Sequence, residues 1–187
     1  DATAQATGGT TPFMYMWSNG DATAMASGLA AGTYTATVTD ANGCTSTTSA
    51  TISEPTELVS SLSNIVNVTC NGLTDGSADA SATGGVSPYT YAWSNSSTSA
   101  TVSSLGAGTY TVTITDNNSC TVLDTLVINE PTVLGISISS YQDVACFGDT
   151  TGSASAAATG GTTPYNYTWS TGSANSIVTG LVAGTFS

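Results

Sequence analysis

Apolar and polar residues alternate along short segments of this chain, and turn-forming residues separate the segments. Between residues 108 and 115, Tyr110, Val112 and Ile114 alternate with threonines. This period of two predicts a strand with one buried face and one hydrated face. No segment places its apolar residues at the period of a helix. In the same stretch of sequence, further strands are predicted at 58–69 (broken at Asn64), 77–83, 89–93, 100–105 and 121–128.

The whole pattern recurs along the chain at a 76-residue offset. This offset links Trp17 to Trp93 and Trp93 to Trp169, as it links three Gly-Gly pairs and three prolines, and no insertion interrupts the register. Self-similarity of this kind indicates a tandem array, of which the chain is expected to be a window. The copies are 1–55 (truncated at its N-terminal side), 56–131 (complete) and 132–187 (truncated at its C-terminal side), joined by the linkers Glu54-Pro55 and Glu130-Pro131.

Six or seven short strands in one copy predict an immunoglobulin-like β-sandwich. The fold class is therefore expected to be all-β, with tandem immunoglobulin-like sandwiches, one for each copy of the repeat, forming an extended rod. A linker of Glu, Pro and Thr is too short and too stiffened by Pro to act as a flexible tether. The residues expected in the cores are Trp17, Trp93 and Trp169 on one strand, and Tyr34, Tyr110 and Phe186 at the spacing of a tyrosine corner.

The aromatic rows allow two interpretations. Phe13, Tyr15 and Trp17, like their counterparts in the other copies, fall on one face of a strand. They would form either a platform on which sugars stack or part of the core. The core is the favoured interpretation, because a Trp on a central strand normally packs against the opposite sheet.

Composition removes several classes of function. The chain has no Lys, Arg or His and a net charge of −12, with 27 Ser and 36 Thr among its 187 residues. Binding of nucleic acid requires cations that neutralise phosphate, so no nucleic-acid partner is expected. Enzymes that use a His base, a Lys Schiff base or an Arg clamp are excluded as well. The protein is predicted to be no enzyme and to need no cofactor.

Four cysteines are spaced too far apart for a clustered metal site and favour disulfides formed outside the cell. One arrangement joins Cys70 to Cys120 within copy 2 and leaves Cys44 and Cys146 to partners beyond the window. The other staples neighbouring copies through Cys44–Cys70 and Cys120–Cys146. The first is favoured, because small domains commonly use internal staples to support a thin core.

Acidic turns are the remaining candidates for chemistry. Asp75 with Asp79, or Asp116 with its neighbouring asparagines, would offer oxygen ligands to Ca²⁺. The dense Asp spacing of a calcium loop is absent, and Asp also favours turns by bonding its own backbone. Turn formation is the preferred interpretation, and no metal site is predicted.

Several motifs together resemble the SprB repeat. They are Thr69-Cys70-Asn71-Gly72, Asp75-Gly76-Ser77, Ala82-Thr83-Gly84-Gly85, Pro88-Tyr89-Thr90-Tyr91, Leu105-Gly106-Ala107-Gly108-Thr109-Tyr110 and Ser119-Cys120 through Glu130-Pro131. The resemblance covers essentially the whole chain. It implies a giant surface adhesin of gliding Bacteroidota, exported by type IX secretion and displayed as a filament on the outer membrane. It also implies the gliding and secretion machinery as partners.

The function expected from repeat and resemblance is that of a structural stalk, which projects an adhesive region from the cell surface for gliding or attachment. Two alternatives remain open, a repeat that itself binds polysaccharide and a fibre whose copies associate laterally through sheet edges. Expected partners are neighbouring repeats of the same chain, with an extracellular polysaccharide or a solid surface as candidate ligands.

Overall fold

The computed structural model describes all 187 residues, and all of its regular elements are strands. The prediction of an all-β fold is confirmed. The chain divides into two compact units, Asp1–Thr56 and Glu57–Ser187. None of its segments forms a helix with the length and apolarity needed to cross a membrane.

Fourteen strands follow one another along the chain, and strands in different copies correspond at the 76-residue offset. They are β1 (Ala2–Thr3), β2 (Met14–Trp17), β3 (Met25–Ala26), β4 (Gly32–Thr39), β5 (Thr45–Ile52), β6 (Val59–Val66), β7 (Gly76–Thr83), β8 (Thr90–Trp93), β9 (Thr101–Leu105), β10 (Gly108–Thr115), β11 (Thr121–Ile128), β12 (Gly135–Gln142), β13 (Gly152–Thr159) and β14 (Ile177–Leu181).

Copy 2 is a sandwich of two antiparallel sheets, each with three strands. One sheet has the order β6-β7-β9 and the other β11-β10-β8. This distribution is that of a seven-stranded immunoglobulin domain without the fourth strand of its first sheet. The buried Trp93 lies on the third strand, β8, and Tyr110 lies near the start of β10, as in immunoglobulin-like domains.

Both sheets contribute to the core of copy 2. From the β8-β10-β11 sheet, Val112, Ile114, Leu126 and Ile128 are almost completely buried. The other sheet supplies smaller residues and Leu105. Burying one Leu, Ile or Val side chain contributes about 1.5–3 kcal/mol, so this alternation of apolar and Thr positions is the main source of stability.

The first strand of copy 2 differs from its predicted form. Strand β6 runs unbroken from Val59 to Val66, with a bulge between Ser63 and Val66. Asn64 is in the left-handed region (φ 50°), and its side-chain amide donates to Asp79 Oδ2 at 2.7 Å. Asn is among the few side chains that adopt this conformation at low cost, so it bends the strand without ending it.

Copies 1 and 3 each form part of the same sandwich. Copy 1 has the sheet β2-β4-β5 and a small β1-β3 pair, while copy 3 has only β12-β13-β14. Residues 166–169 correspond to β8 but form no strand. Ile136 and Ile138 of copy 3 are 72% and 56% exposed.

Candidate functional site: the junction between copies 2 and 3

The junction is built on a short loop that follows β6. The Thr69 backbone N–H donates to Asp75 Oδ1 at 3.1 Å, and the Thr69 hydroxyl donates to Asp75 Oδ2. These bonds, the hydroxyl first and the backbone N–H second, lower the pKa of Asp75. Leu73 N–H donates to the Cys70 carbonyl at 3.1 Å and closes a turn. The loop therefore has a defined conformation before it contacts anything else.

The chain that leaves copy 2 is bound to this loop. Asn129 exchanges hydrogen bonds with Asn67 and Val68 at 2.8 and 3.0 Å. One residue further on, the Glu130 carboxylate accepts from the Gly72 N–H at 2.7 Å. The Asn71 amide then donates to the Pro131 carbonyl at 3.1 Å. Three successive residues of the exit segment are thus held against copy 2.

The Glu130 carboxylate holds the linker to copy 2, a contact that a salt bridge commonly makes in other proteins. No side chain in the protein is cationic, so within the chain a carboxylate is stabilised by hydrogen-bond donors and not by a salt bridge to another side chain. A bond from an N–H to a carboxylate is shorter and stronger than a bond between neutral groups. The linker Glu is therefore an anchor for the junction as well as a charged surface residue.

Copy 3 begins immediately after this anchor. Gly161 N–H donates to the Thr132 carbonyl at 2.8 Å, which places the Gly160-Gly161 turn at the start of the copy. The next residue, Thr162, places its hydroxyl oxygen 3.5 Å from the Thr69 carbonyl oxygen of copy 2. The entry end of copy 3 thus meets the loop that also holds the linker.

At the opposite end of copy 2, Asp116 closes a turn and is buried. Its carboxylate accepts from the N–H groups of Val86, Asn118 and Cys120 at 2.8–2.9 Å. Burial is the largest influence on this group and opposes ionisation, but the donors from Val86, Cys120 and Asn118 together outweigh it. The pKa of Asp116 therefore lies below its ordinary value.

Asp40 repeats this arrangement in copy 1. It accepts from the N–H groups of Cys44, Thr10 and Asn42 at 2.8–3.1 Å. The bonds from Cys44 and Thr10 lower its pKa most, and burial opposes them. The acid that recurs in both turns therefore organises backbone, in agreement with turn formation as the reason for its presence.

The three tryptophans are buried in the hydrophobic cluster of their own copy. Trp17, Trp93 and Trp169 are 3%, 4% and 6% exposed. Each indole N–H donates to the carbonyl six residues further along, with distances of 2.8–3.0 Å. With their polar atom paired and their rings covered, they offer no face to a sugar.

The tyrosine corner is present in the first two copies. Tyr34 and Tyr110 each donate their hydroxyl to a carbonyl four residues earlier, of Ala30 and Gly106, at 3.2 Å. Phe186 has no hydroxyl and packs against the cluster that contains Trp169. Packing is thus common to the three residues, while the hydrogen bond is limited to two.

The disulfide favoured from the sequence does not form in the structure. All four cysteines are free and exposed. Cys70 lies at the Ile128 end of β11, because Val68 bonds Asn129, whereas Cys120 immediately precedes β11. Eight residues of strand separate these ends by about 23 Å, and a disulfide needs Cα atoms within about 7 Å. Cys70 and Cys120 therefore cannot pair within one copy.

The alternative pair Cys120–Cys146 fails for the same kind of reason. Cys146 lies beside Val182 and Ala183, at the end of copy 3 opposite to Thr162. Cys120 lies at the end of copy 2 away from copy 3. The two thiols are therefore at the outer ends of two consecutive copies.

Sequence reasoning named the linker residues but missed the loop that receives them. Glu54 and Pro55 are exposed in the first unit, and only Glu130 and Pro131 have described partners. Those partners, Asn71 and Gly72, belong to the motif Thr69-Cys70-Asn71-Gly72, for which the sequence predicts no contact with the linker. The glycine recurs as Gly148, but Phe147 replaces the asparagine, so the repeat comparison alone carried no signal for Asn71.

The acidic residues do not assemble into a metal centre. No group of three or more Asp, Glu, Cys or His side chains lies close enough together to hold an ion. Asp75 accepts hydrogen bonds from Thr69, and Asp79 accepts one from Asn64. These hydrogen bonds lower the pKa of both carboxyl groups.

Comparison with known proteins finds similarity to one repeat family and to one solved multi-domain structure. No curated protein matches the sequence. The structure of the three N-terminal domains of the highly immunogenic outer capsid protein (Hoc) of bacteriophage RB49 is similar, with a TM-score of 0.46 and 16% identity. That similarity covers 85% of this chain and 64% of the Hoc structure.

The family model of the SprB repeat matches residues 62–98 and 138–174. The two matches begin at the same position of consecutive copies, in register with the repeat defined above. The SprB repeat is a structural, adhesin-like repeat associated with cell-surface or extracellular proteins. Two segments of the chain, one in copy 2 and one in copy 3, are therefore similar to the SprB repeat.

Proposed function

We propose that the chain is part of a structural stalk in a cell-surface adhesin filament, which projects an adhesive region from the cell for gliding or surface attachment. The observation that supports this most is the binding of the linker to copy 2. Glu130 and Pro131 are held by Gly72 and Asn71 at 2.7 and 3.1 Å. A stalk needs junctions that keep a fixed angle, and a linker with bound backbone cannot swing freely.

Surface composition supports the same role. The chain is rich in Ser and Thr, has 12 acidic residues and has no cationic side chain. A surface with net negative charge resists self-association. Trypsin-like proteases have no Lys or Arg at which to cut. In this proposal the filament lies outside the cell at the outer membrane, and type IX export and the gliding machinery are its partners.

A measurement of junction stiffness tests the property on which the stalk depends. Cys120 and Cys146 are exposed thiols in copies 2 and 3, and they accept nitroxide labels in a Cys44→Ser, Cys70→Ser background. Double electron–electron resonance is expected to give one narrow distance distribution. The double variant Asn71→Ala, Glu130→Ala is expected to broaden it, because both linker contacts are lost.

Glu57→Ala is the matched control, since Glu57 is exposed and has no side-chain hydrogen bond. It is expected to leave the distribution unchanged. A broad distribution in the parent chain would argue against a stalk. Saturable polysaccharide binding that is lost in Tyr141→Ala, a residue 74% exposed, would instead favour direct ligand binding.

A further inference from the structure

The two cysteines of copy 2 are exposed at its opposite ends, and the end with Cys70 is the one that meets copy 3. Cys70 lies between Thr69, which touches Thr162 of copy 3, and Asn71, which binds Pro131. Its neighbours on both sides therefore contact the junction. The next copy enters within hydrogen-bond distance of the residue before Cys70.

Copy 2 shows what surrounds the entry end of a complete copy. Val86 corresponds to Thr162 at the 76-residue offset. The Val86 N–H donates to Asp116 Oδ2 at 2.9 Å, and its carbonyl accepts from Asn117 at 2.8 Å. The other oxygen of the same carboxylate accepts from Cys120 N–H at 2.8 Å. One carboxylate thus joins the entry turn to Cys120.

These two observations, combined through the repeat, place two cysteines at each junction. Thr162 touches the residue next to Cys70, and the counterpart of Thr162 in a complete copy is joined through one aspartate to Cys120. We propose that Cys70 of one copy forms a disulfide with the counterpart of Cys120 in the following copy. In an array of complete copies, every junction then carries one such covalent staple.

Formation of this disulfide requires an external oxidant. Two thiols lose two protons and two electrons as the S–S bond forms, and an oxidised disulfide compound takes them up as it is reduced to two thiols. Low-molecular-weight disulfides of this class drive the exchange through a mixed disulfide.

The same assignment divides the four cysteines into two types. Cys44 and Cys120 are of the entry type, and Cys70 and Cys146 are of the exit type. At the junction between copies 2 and 3, only the exit-type cysteine, Cys70, is present. The proposal is independent of the stalk role, since a stapled junction would serve any function of the array.

The test completes copy 3. Residue 187 corresponds to residue 111, so the full chain extended by a second copy of residues 112–131 contains a counterpart of Cys120 in copy 3. After oxidation with glutathione disulfide, chymotryptic peptide mapping is expected to find Cys70 linked to the appended cysteine. Chymotrypsin is suitable because it cuts between Cys70 and Cys120 at Tyr89, Tyr91 and Tyr110.

Matched variants separate the possible pairings. Cys70→Ser in the extended chain is expected to abolish the linked peptide, while Cys120→Ser and Cys146→Ser are expected to retain it. The unextended chain is expected to keep Cys70 reactive toward a maleimide. A free Cys70 in the folded, oxidised extended chain, or a Cys70–Cys120 peptide, would overturn the proposal.

A second variant keeps the test decisive if the extended chain does not fold. Thr162→Cys in the unextended chain introduces a thiol at the position that touches Thr69. Oxidation is expected to cross-link it to Cys70 and to none of the other cysteines. Absence of this cross-link at full oxidant would show that Cys70 does not face the entry end of copy 3.

Discussion

Gly85 lies directly against the carboxylate of Asp116, so closely that a Cβ on Gly85 would come within 2.7 Å of Asp116 Oδ2. The glycine also has a φ of +56°, in the left-handed region. These two requirements explain why a Gly-Gly pair and an Asp recur together at the 76-residue offset. The backbone turn and the acid that organises it fit together only when the glycine has no side chain.

Gly85→Ala is therefore expected to destabilise copy 2 by about 2 kcal/mol or more, of which left-handed backbone strain alone accounts for about 1–2 kcal/mol. The remainder comes from displacement of the Asp116 carboxylate. Native-state hydrogen exchange in β10 measures this free energy of unfolding. Gly72→Ala, at φ +81° with no atom within 4 Å of its Cβ, tests the strain alone and is expected to cost less. Equal losses would contradict the contact with Asp116.

Acid is expected to weaken copy 2 through Asp116. Its folded-state pKa is lowered, so its contribution to stability is complete above the unfolded value of about 3.9. That contribution is lost as the pH falls toward the folded pKa. Hydrogen exchange in β10 at pH 7 and at pH 3 is expected to show this loss. The loss should be smaller in Asp116→Asn, and unchanged in Asp143→Asn, which removes an exposed acid without a side-chain hydrogen bond.

The tyrosine corner is expected to contribute through its hydroxyl as well as its ring. Tyr110→Phe removes the bond to the Gly106 carbonyl and should cost about 0.5–1.5 kcal/mol. Tyr91→Phe is the control, because the Tyr91 hydroxyl has no protein partner and the residue is also half-buried. Comparable losses in both variants, measured by exchange in β10, would show that the corner bond adds nothing.

Truncation of the core tryptophan is expected to have the largest effect. Trp93→Ala removes a 4% exposed ring and should cost about 3–5 kcal/mol, enough to unfold copy 2 in a large share of molecules. Far-UV circular dichroism and protease sensitivity are the measurements. Met14→Ala, at a residue 65% exposed, should change neither; if Trp93→Ala also changes neither, the assignment of the core is wrong.

Much of the fold could be predicted because local pattern and tertiary environment agree. Strand β11 runs from Thr121 to Ile128, the bounds expected from alternation, since both ends are turns recognisable in the sequence. The course of the strand that contains Asn64 could not be predicted from the sequence in the same way. A polar residue that interrupts alternation looks the same whether it ends a strand or forms a bulge, and only pairing with β7 distinguishes the two.

The pairing of the cysteines, in contrast, could not be predicted from the sequence. The spacing of Cys70 and Cys120 within a copy is compatible with an internal staple, because sequence separation carries no information about which end of a sandwich a residue occupies. The register of β10 with β11 separates Cys70 from Cys120 by the length of a strand. Cys120 lies near the entry turn, because the N–H groups of Val86 and Cys120 both donate to the Asp116 carboxylate.

From the sequence alone follow the period of the repeat, the all-β class, the strand faces and the absence of cations. These are properties of residue type and order, so they can be read without coordinates. Only the tertiary structure decided how the missing cations are compensated, with backbone N–H groups around Asp40, Asp116 and Glu130. It also decided that Cys70, and not Cys120, lies at the junction between copies 2 and 3. Both depend on residues far apart in the chain, which come together only when the two sheets pack.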